Sequence, residues 1–123
     1  GTSSSQIDRV LAIAGNAIAG SATETIDLNS FTDPLGVSRA MVDVRGFRFR
    51  ANTTAQTIKV GGTNGWTGPG AGWTFTVPIG GWIYAFAPAD GSWPVGGSTK
   101  TIDIVNTSGS AGTYDLEILG VSA

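Results

Sequence analysis

Three kinds of side chain in this sequence could do chemistry. Serines 3 to 5, Ser108 and Ser110 offer hydroxyl nucleophiles, and Lys59 and Lys100 offer amines that could activate them. Asp27, Asp43, Asp103 and Asp115 offer carboxylates that could divide the work of acid and base in glycoside hydrolysis. None of these is set in a recognisable catalytic motif. The serines sit in small, polar, low-complexity stretches, and the four aspartates fall on outward positions of alternating segments, where solvated surface is the simpler reading. With no histidine and no cysteine, the chain lacks the usual general base near neutral pH, the commonest metal ligand and any thiolate. Asp90-Gly91-Ser92 lacks the alternating acidic partners of a calcium loop and reads as a turn. A non-enzymatic protein without metal or cofactor is expected.

The remaining candidates are residues of contact. Arg45, Arg48 and Arg50 crowd one segment and suit a subunit contact better than a nucleic acid. The net charge of −2, from 7 basic and 9 acidic residues, is too small to hold a polyanion. The stretch WTGPGAGWTFTVPIGGW places three of the chain's four tryptophans within residues 66–82. Trp66 and Trp93 lie in glycine-rich loops where a ring could stand out toward a sugar or a neighbouring subunit. Trp73 and Trp82 share phase with Phe75 and Tyr84 and read as core or interface residues. Subunit contact is favoured over carbohydrate for the group as a whole.

What must position these residues is a set of strands. At 123 residues the chain fits one domain with a single core. Alternation of apolar and polar residues marks IDRVLAIA (a strand or a short helix), TETIDLN, RAMVDVRGFRFRA, AQTIKV, WTFTV, WIYAFA, TKTIDIVN and GTYDLEIL. In RAMVDVRGFRFRA the apolar phase shifts by one residue at Gly46, which predicts a β-bulge and sends Arg48 and Arg50 away from Phe47 and Phe49. Asp33-Pro34 followed by Gly36 predicts a turn. No amphipathic helix is evident, so the expected fold is all-β: an antiparallel two-sheet sandwich, jelly-roll-like, with about eight strands. Residues 1–22 are expected to form an N-terminal arm or attachment segment, and residues 23–123 the β-sandwich domain. The apolar run from Val10 to Ala22 is broken by Gly15 and Asn16 and is too short to span a membrane. It also lacks the basic start of a signal peptide, so a soluble, unsecreted chain is expected.

The segments TIDLNSFTDPLG, VRGFRFRA, IKVGG, VPIGGWIYAFAPADGSWPV and TIDIVNTSGSAGTYDLEILGVSA, in that order, resemble a group of small all-β proteins encoded among the virion structural genes of tailed bacteriophages, of the capsid decoration or protrusion kind. The resemblance covers residues 23–123 and rests on turn and strand signatures. It implies a jelly-roll-like homotrimer on the capsid exterior, partnered by the shell of major capsid protein and reinforcing it. Within that reading, Ile7, Val10, Leu11 and Ile13 of the N-terminal segment are expected to touch the shell or a neighbouring subunit, together with Arg45, Arg48, Arg50, Trp73 and Trp82. The alternative is a carbohydrate- or receptor-binding β-sandwich module of a phage fibre or cell-surface protein, with Trp66 and Trp93 as its rings. A shell protein proper is disfavoured, because the chain is short and has no basic arm for packaging a genome.

Overall fold

A computed structural model describes residues 7–87 and 93–122, and among them every regular element is a β-strand. Eight strands are four or more residues long: β1 (Arg9–Ile18), β2 (Thr23–Asp27), β5 (Asp43–Ala51), β6 (Gln56–Val60), β7 (Thr74–Val77), β8 (Trp82–Phe86), β10 (Thr101–Asn106) and β11 (Gly112–Val121). Three two-residue strands complete the set: β3 (Phe31–Thr32), β4 (Ser38–Arg39) and β9 (Trp93–Pro94). Each long strand coincides with one of the alternating segments, because a half-buried strand must send successive side chains to opposite faces.

All strand pairings are antiparallel. One sheet runs in the order β1-β11-β5-β8, with β9 also on β5; the second runs β2-β10-β6-β7; β3 and β4 pair as a separate hairpin. The inner faces of the two larger sheets share one hydrophobic cluster, to which Phe47, Phe49, Leu116 and Ile118 come from the first sheet and Ile26, Ile58, Ile102 and Ile104 from the second. The architecture is thus sandwich-like, and the alternation in the segments of β2, β6, β10 and β11 is seen as alternate residues turned to the core.

Two bulges tune the first sheet. Opposite Leu119 and Gly120 of β11 stand Gly46 and Val44 of β5, so Arg45 is the extra residue. This is the phase shift legible at Gly46, and it puts both Val44 and Phe47 in the core. The other bulge, on β1 between Ile13 and Asn16, has no counterpart in the sequence reading. Gly15 takes φ +59 there, a conformation that costs glycine least, and its N–H donates to Asp115 Oδ1 at 2.6 Å.

The N-terminal segment departs from expectation. Within residues 1–22, Arg9–Ile18 do not form an arm but an edge strand, paired along β11 from Gly120 to Gly112. Leu11 is buried in the shared core and is not free to reach a shell, while Ile13 is partly buried against the same core. The physical reason is that β11 carries inward apolar side chains over its whole length and needs a strand on each side to satisfy its backbone. Val10 is half-buried on the outer face, and Ile7 stands exposed ahead of the strand. Residues 1–6 lie outside the described residues.

Candidate interaction face

The cross-strand register builds a grid on the outer face of the β1-β11-β5-β8 sheet. Residues directly opposite one another in an antiparallel pair share a face. One row therefore reads Val10, Leu119, Gly46, Phe86, the next Ala12, Glu117, Arg48, Tyr84, and the third Asp115, Arg50, Trp82. Down the columns, β8 carries only aromatics, β5 carries two arginines, β11 carries two acids, and β1 carries small or aliphatic residues.

The column on β8 is open to solvent: Trp82 is 40% exposed, Tyr84 59% and Phe86 67%. The rings of Trp82 and Tyr84 lie 18° from parallel with centroids 6.1 Å apart. The guanidinium carbons of Arg48 and Arg50 each stand 5.3 Å from the Trp82 ring centroid, within reach of the ring's quadrupole. Arg48 also donates to Glu117 Oε2 at 3.4 Å, a half-exposed pair of the kind that contributes little to stability. Asp115 is held by the Gly15 N–H and by Asn52 Nδ2 at 3.1 Å. Phe86 lies over Gly46, where a Cβ would come within 2.6 Å of its ring.

Two shallow depressions open on this face. One, of about 190 Å³, is lined by Ala12, Ala14, Arg48, Trp82, Asp115 and Glu117 among others. The second, of about 110 Å³, lies between Gly46, Arg48, Tyr84, Phe86, Glu117 and Leu119. Neither is deep enough to enclose a small molecule as an enzyme pocket does.

The outer face of the β2-β10-β6-β7 sheet is different in kind. Its rows read Thr23, Val105, Thr57, Thr76 and Thr25, Asp103, Lys59, Thr74. The hydroxyls of Thr57 and Thr76 meet at 3.2 Å, and Asp103 accepts hydrogen bonds from Thr25 Oγ1 at 2.7 Å and from the Gly62 N–H at 3.1 Å. Asp103, read from the sequence as a solvated carboxylate, is thus outward but buried, because its neighbours close over it with donors.

Trp66 is the clearest correction among the site residues. Its ring is fully buried, with Nε1 donating to Pro94 O at 3.2 Å, and it cannot meet a sugar or a subunit. Trp73 is also a core residue and donates from Nε1 to Trp66 O at 2.6 Å, which removes it from the contact residues. Trp93 is half-buried against the same core, 5.6 Å from Trp66 between ring centroids. Phe47 completes the cluster at 5.8 Å from Trp73 and 6.1 Å from Trp66. The glycine-rich loop closes over these rings: a Cβ on Gly68 would fall 2.3 Å from Trp66. Gly68 therefore accommodates buried rings, while Gly70 and Gly72 take the positive φ angles of the loop that covers them.

Of the arginines, Arg48 and Arg50 come together on the open face with Trp82, while Arg45 sits at the bulge, its carbonyl accepting from the Ala87 N–H at 2.9 Å. Tyr84 and Phe86 are face residues that sequence reasoning did not select. The alternation in WIYAFA was visible, but which half faces inward was decided by Ile83 and Ala85 packing on the core. Among the described residues no group of three acidic side chains is placed to hold a metal ion, and no helix is long and apolar enough to cross a membrane.

Compared with protein-family models and with curated proteins, the chain gives no match.

Proposed function

We propose that this protein is a non-enzymatic structural component of a virion, which binds the outside of a capsid as a homotrimer on a two-sheet, jelly-roll-like sandwich and reinforces the shell. The observation that carries this reading is the open aromatic column Trp82, Tyr84, Phe86, set on an outer sheet face beside Arg48, Arg50 and Glu117. Aromatics and arginine exposed together suit burial against protein, where a few desolvated anchors supply most of the affinity. Repeated over a shell, even a modest contact holds tightly through avidity. The ordered resemblance over residues 23–123 supports the same reading. The test is imaging of particles with and without the protein, followed by add-back of the purified chain. Extra density on the outer shell that returns on add-back is expected; purified chain that neither binds nor stabilises the particles overturns the proposal.

A carbohydrate- or receptor-binding module is the second reading, favoured by the near-parallel Trp82 and Tyr84 rings with polar groups beside them. Against it, the guanidinium groups of Arg48 and Arg50 already engage the Trp82 ring that a sugar would stack on. Saturable quenching of tryptophan fluorescence by oligosaccharides, lost in Trp82→Ala, would establish the module in place of the structural role.

A further inference from the structure

The outer face of the five-stranded sheet splits along the β11–β5 boundary into two halves of opposite character. We propose that the cationic, aromatic half of one copy docks on the acidic, small-residue half of a second copy of this chain. This goes beyond the structural role proposed above: a face that carries both members meets its copy about a twofold axis, so the contact makes a pair and is separate from the contacts of the trimer.

The first half consists of Arg48 and Arg50 on β5 with Trp82, Tyr84 and Phe86 on β8. The second consists of Asp115 and Glu117 on β11 with Ala12 and Ala14 on β1. Charge and size are therefore complementary between the two halves. The rings stand on one edge of the sheet and the alanines on the other, and a depression of about 190 Å³ runs between them, from Ala12 and Ala14 across Asp115 and Glu117 to Arg48 and Trp82. Bringing the two halves together places arginines opposite carboxylates and rings above alanines. Bringing like halves together would set arginines against arginines, which is penalised when the charges are desolvated.

A foreign partner would need to match only one half. That both members of a complementary pair stand on one face is what contact between copies of one chain requires. Glu117 and Arg48 pair within the chain at 3.4 Å, but the pair is half-exposed and weak, so it can be exchanged for an intermolecular one at little cost. The threonine-rich outer face of the other sheet has no such division, and its polar groups already bond to one another.

The experiment measures the solution mass of the full chain by light scattering across a wide concentration range. Wild type is expected to be oligomeric. Tyr84→Ser with Phe86→Ser is expected to weaken the assembly by about a hundredfold or more, as truncation of interface aromatics does. Arg48→Glu and Glu117→Arg, each made alone, are expected to dissociate it, and mixing the two variants is expected to restore association. Thr76→Glu on the opposite face is expected to leave the mass unchanged. Circular dichroism and the thermal midpoint check that each variant is folded. A wild-type monomer overturns the inference, as does an oligomer whose mass the folded face variants leave unaltered or only Thr76→Glu reduces. Binding to particles is scored separately, so a trimer that decorates capsids without pairing through this face sinks this contact and leaves the virion role standing.

Discussion

Two groups of aromatic side chains lie close in the sequence and far apart in their physical situation. Phe47, Trp66, Trp73 and Trp93 gather at one end of the core with ring centroids 5.6 to 6.4 Å apart, and both fully enclosed indoles find a carbonyl for their N–H. Trp82, Tyr84 and Phe86 form a column on an edge strand, open to water, with two guanidinium groups beside the first ring. The difference lies in what surrounds each ring and not in residue type. The buried cluster is closed by a loop that approaches the rings at Gly68, where there is no side chain to hold it off. The open column has smaller residues, Ile83 and Ala85, turned inward in its place. An aromatic next to glycine is therefore no sign of exposure, and an aromatic in phase on a strand is no sign of burial.

The comparison can be broken most directly at Trp66. Trp66→Ala empties the centre of the buried cluster and is expected to cost about 3–5 kcal/mol in urea unfolding. A loss under about 1 kcal/mol would mean that the cluster is not part of the core. Gly68→Ala adds one methyl group where the loop meets the Trp66 ring and the backbone side of Trp93, and is expected to destabilise by about 1–3 kcal/mol through overpacking.

The buried tyrosine extends the contrast to pH. Tyr114 is buried beside Phe49, and its hydroxyl donates to Glu24 Oε1 at 2.7 Å; burial, followed by that carboxylate, pushes its phenol well above the usual value of 10. Because the proton is held more tightly in the folded state, the stabilisation from Tyr114 is complete below pH 10 and is lost as the pH rises through the folded value. Tyrosinate absorbance from Tyr114 is thus expected to grow only as tertiary structure is lost, and Tyr114→Phe should flatten the alkaline decline in stability. Ionisation of Tyr114 before unfolding would refute this placement.

The smallest effect is expected at the open column. Trp82→Ala removes a half-exposed ring and its contacts with Arg48 and Arg50, each worth about 0.5–1 kcal/mol at an exposed site, so the fold should lose about 1–2 kcal/mol. Aqueous quenchers should reach Trp82 preferentially over Trp66 and Trp73, and the variant should lose most of the quenchable emission.

Most of the strand framework was legible because β-strand periodicity writes burial directly into alternate residues. Ile26 and Leu28, Ile102 and Ile104, and Tyr114, Leu116 and Ile118 are inward as their phase predicts. The bulge at Arg45 was legible for the same reason, since an inserted residue reverses the parity of all that follows. The place of β1 was not, because a segment with Gly15 and Asn16 in it reads as interrupted until a second bulge is seen to absorb the irregularity. The open face was only half legible: Arg48, Arg50 and Trp82 were singled out, but the residues that make it a grid come from strands far apart in the chain.

By itself the sequence determined an antiparallel all-β chain, the outward direction of Arg48 and Arg50, and the lack of histidine and cysteine chemistry. These are properties of residue type and of spacing within one strand. Only the tertiary structure decided that Trp66 is enclosed, that Trp82 is open, and that Asp115 and Glu117 stand beside the arginines. Each depends on which strands become neighbours and which loop closes over them, and that is set by long-range pairing and packing that no local period encodes.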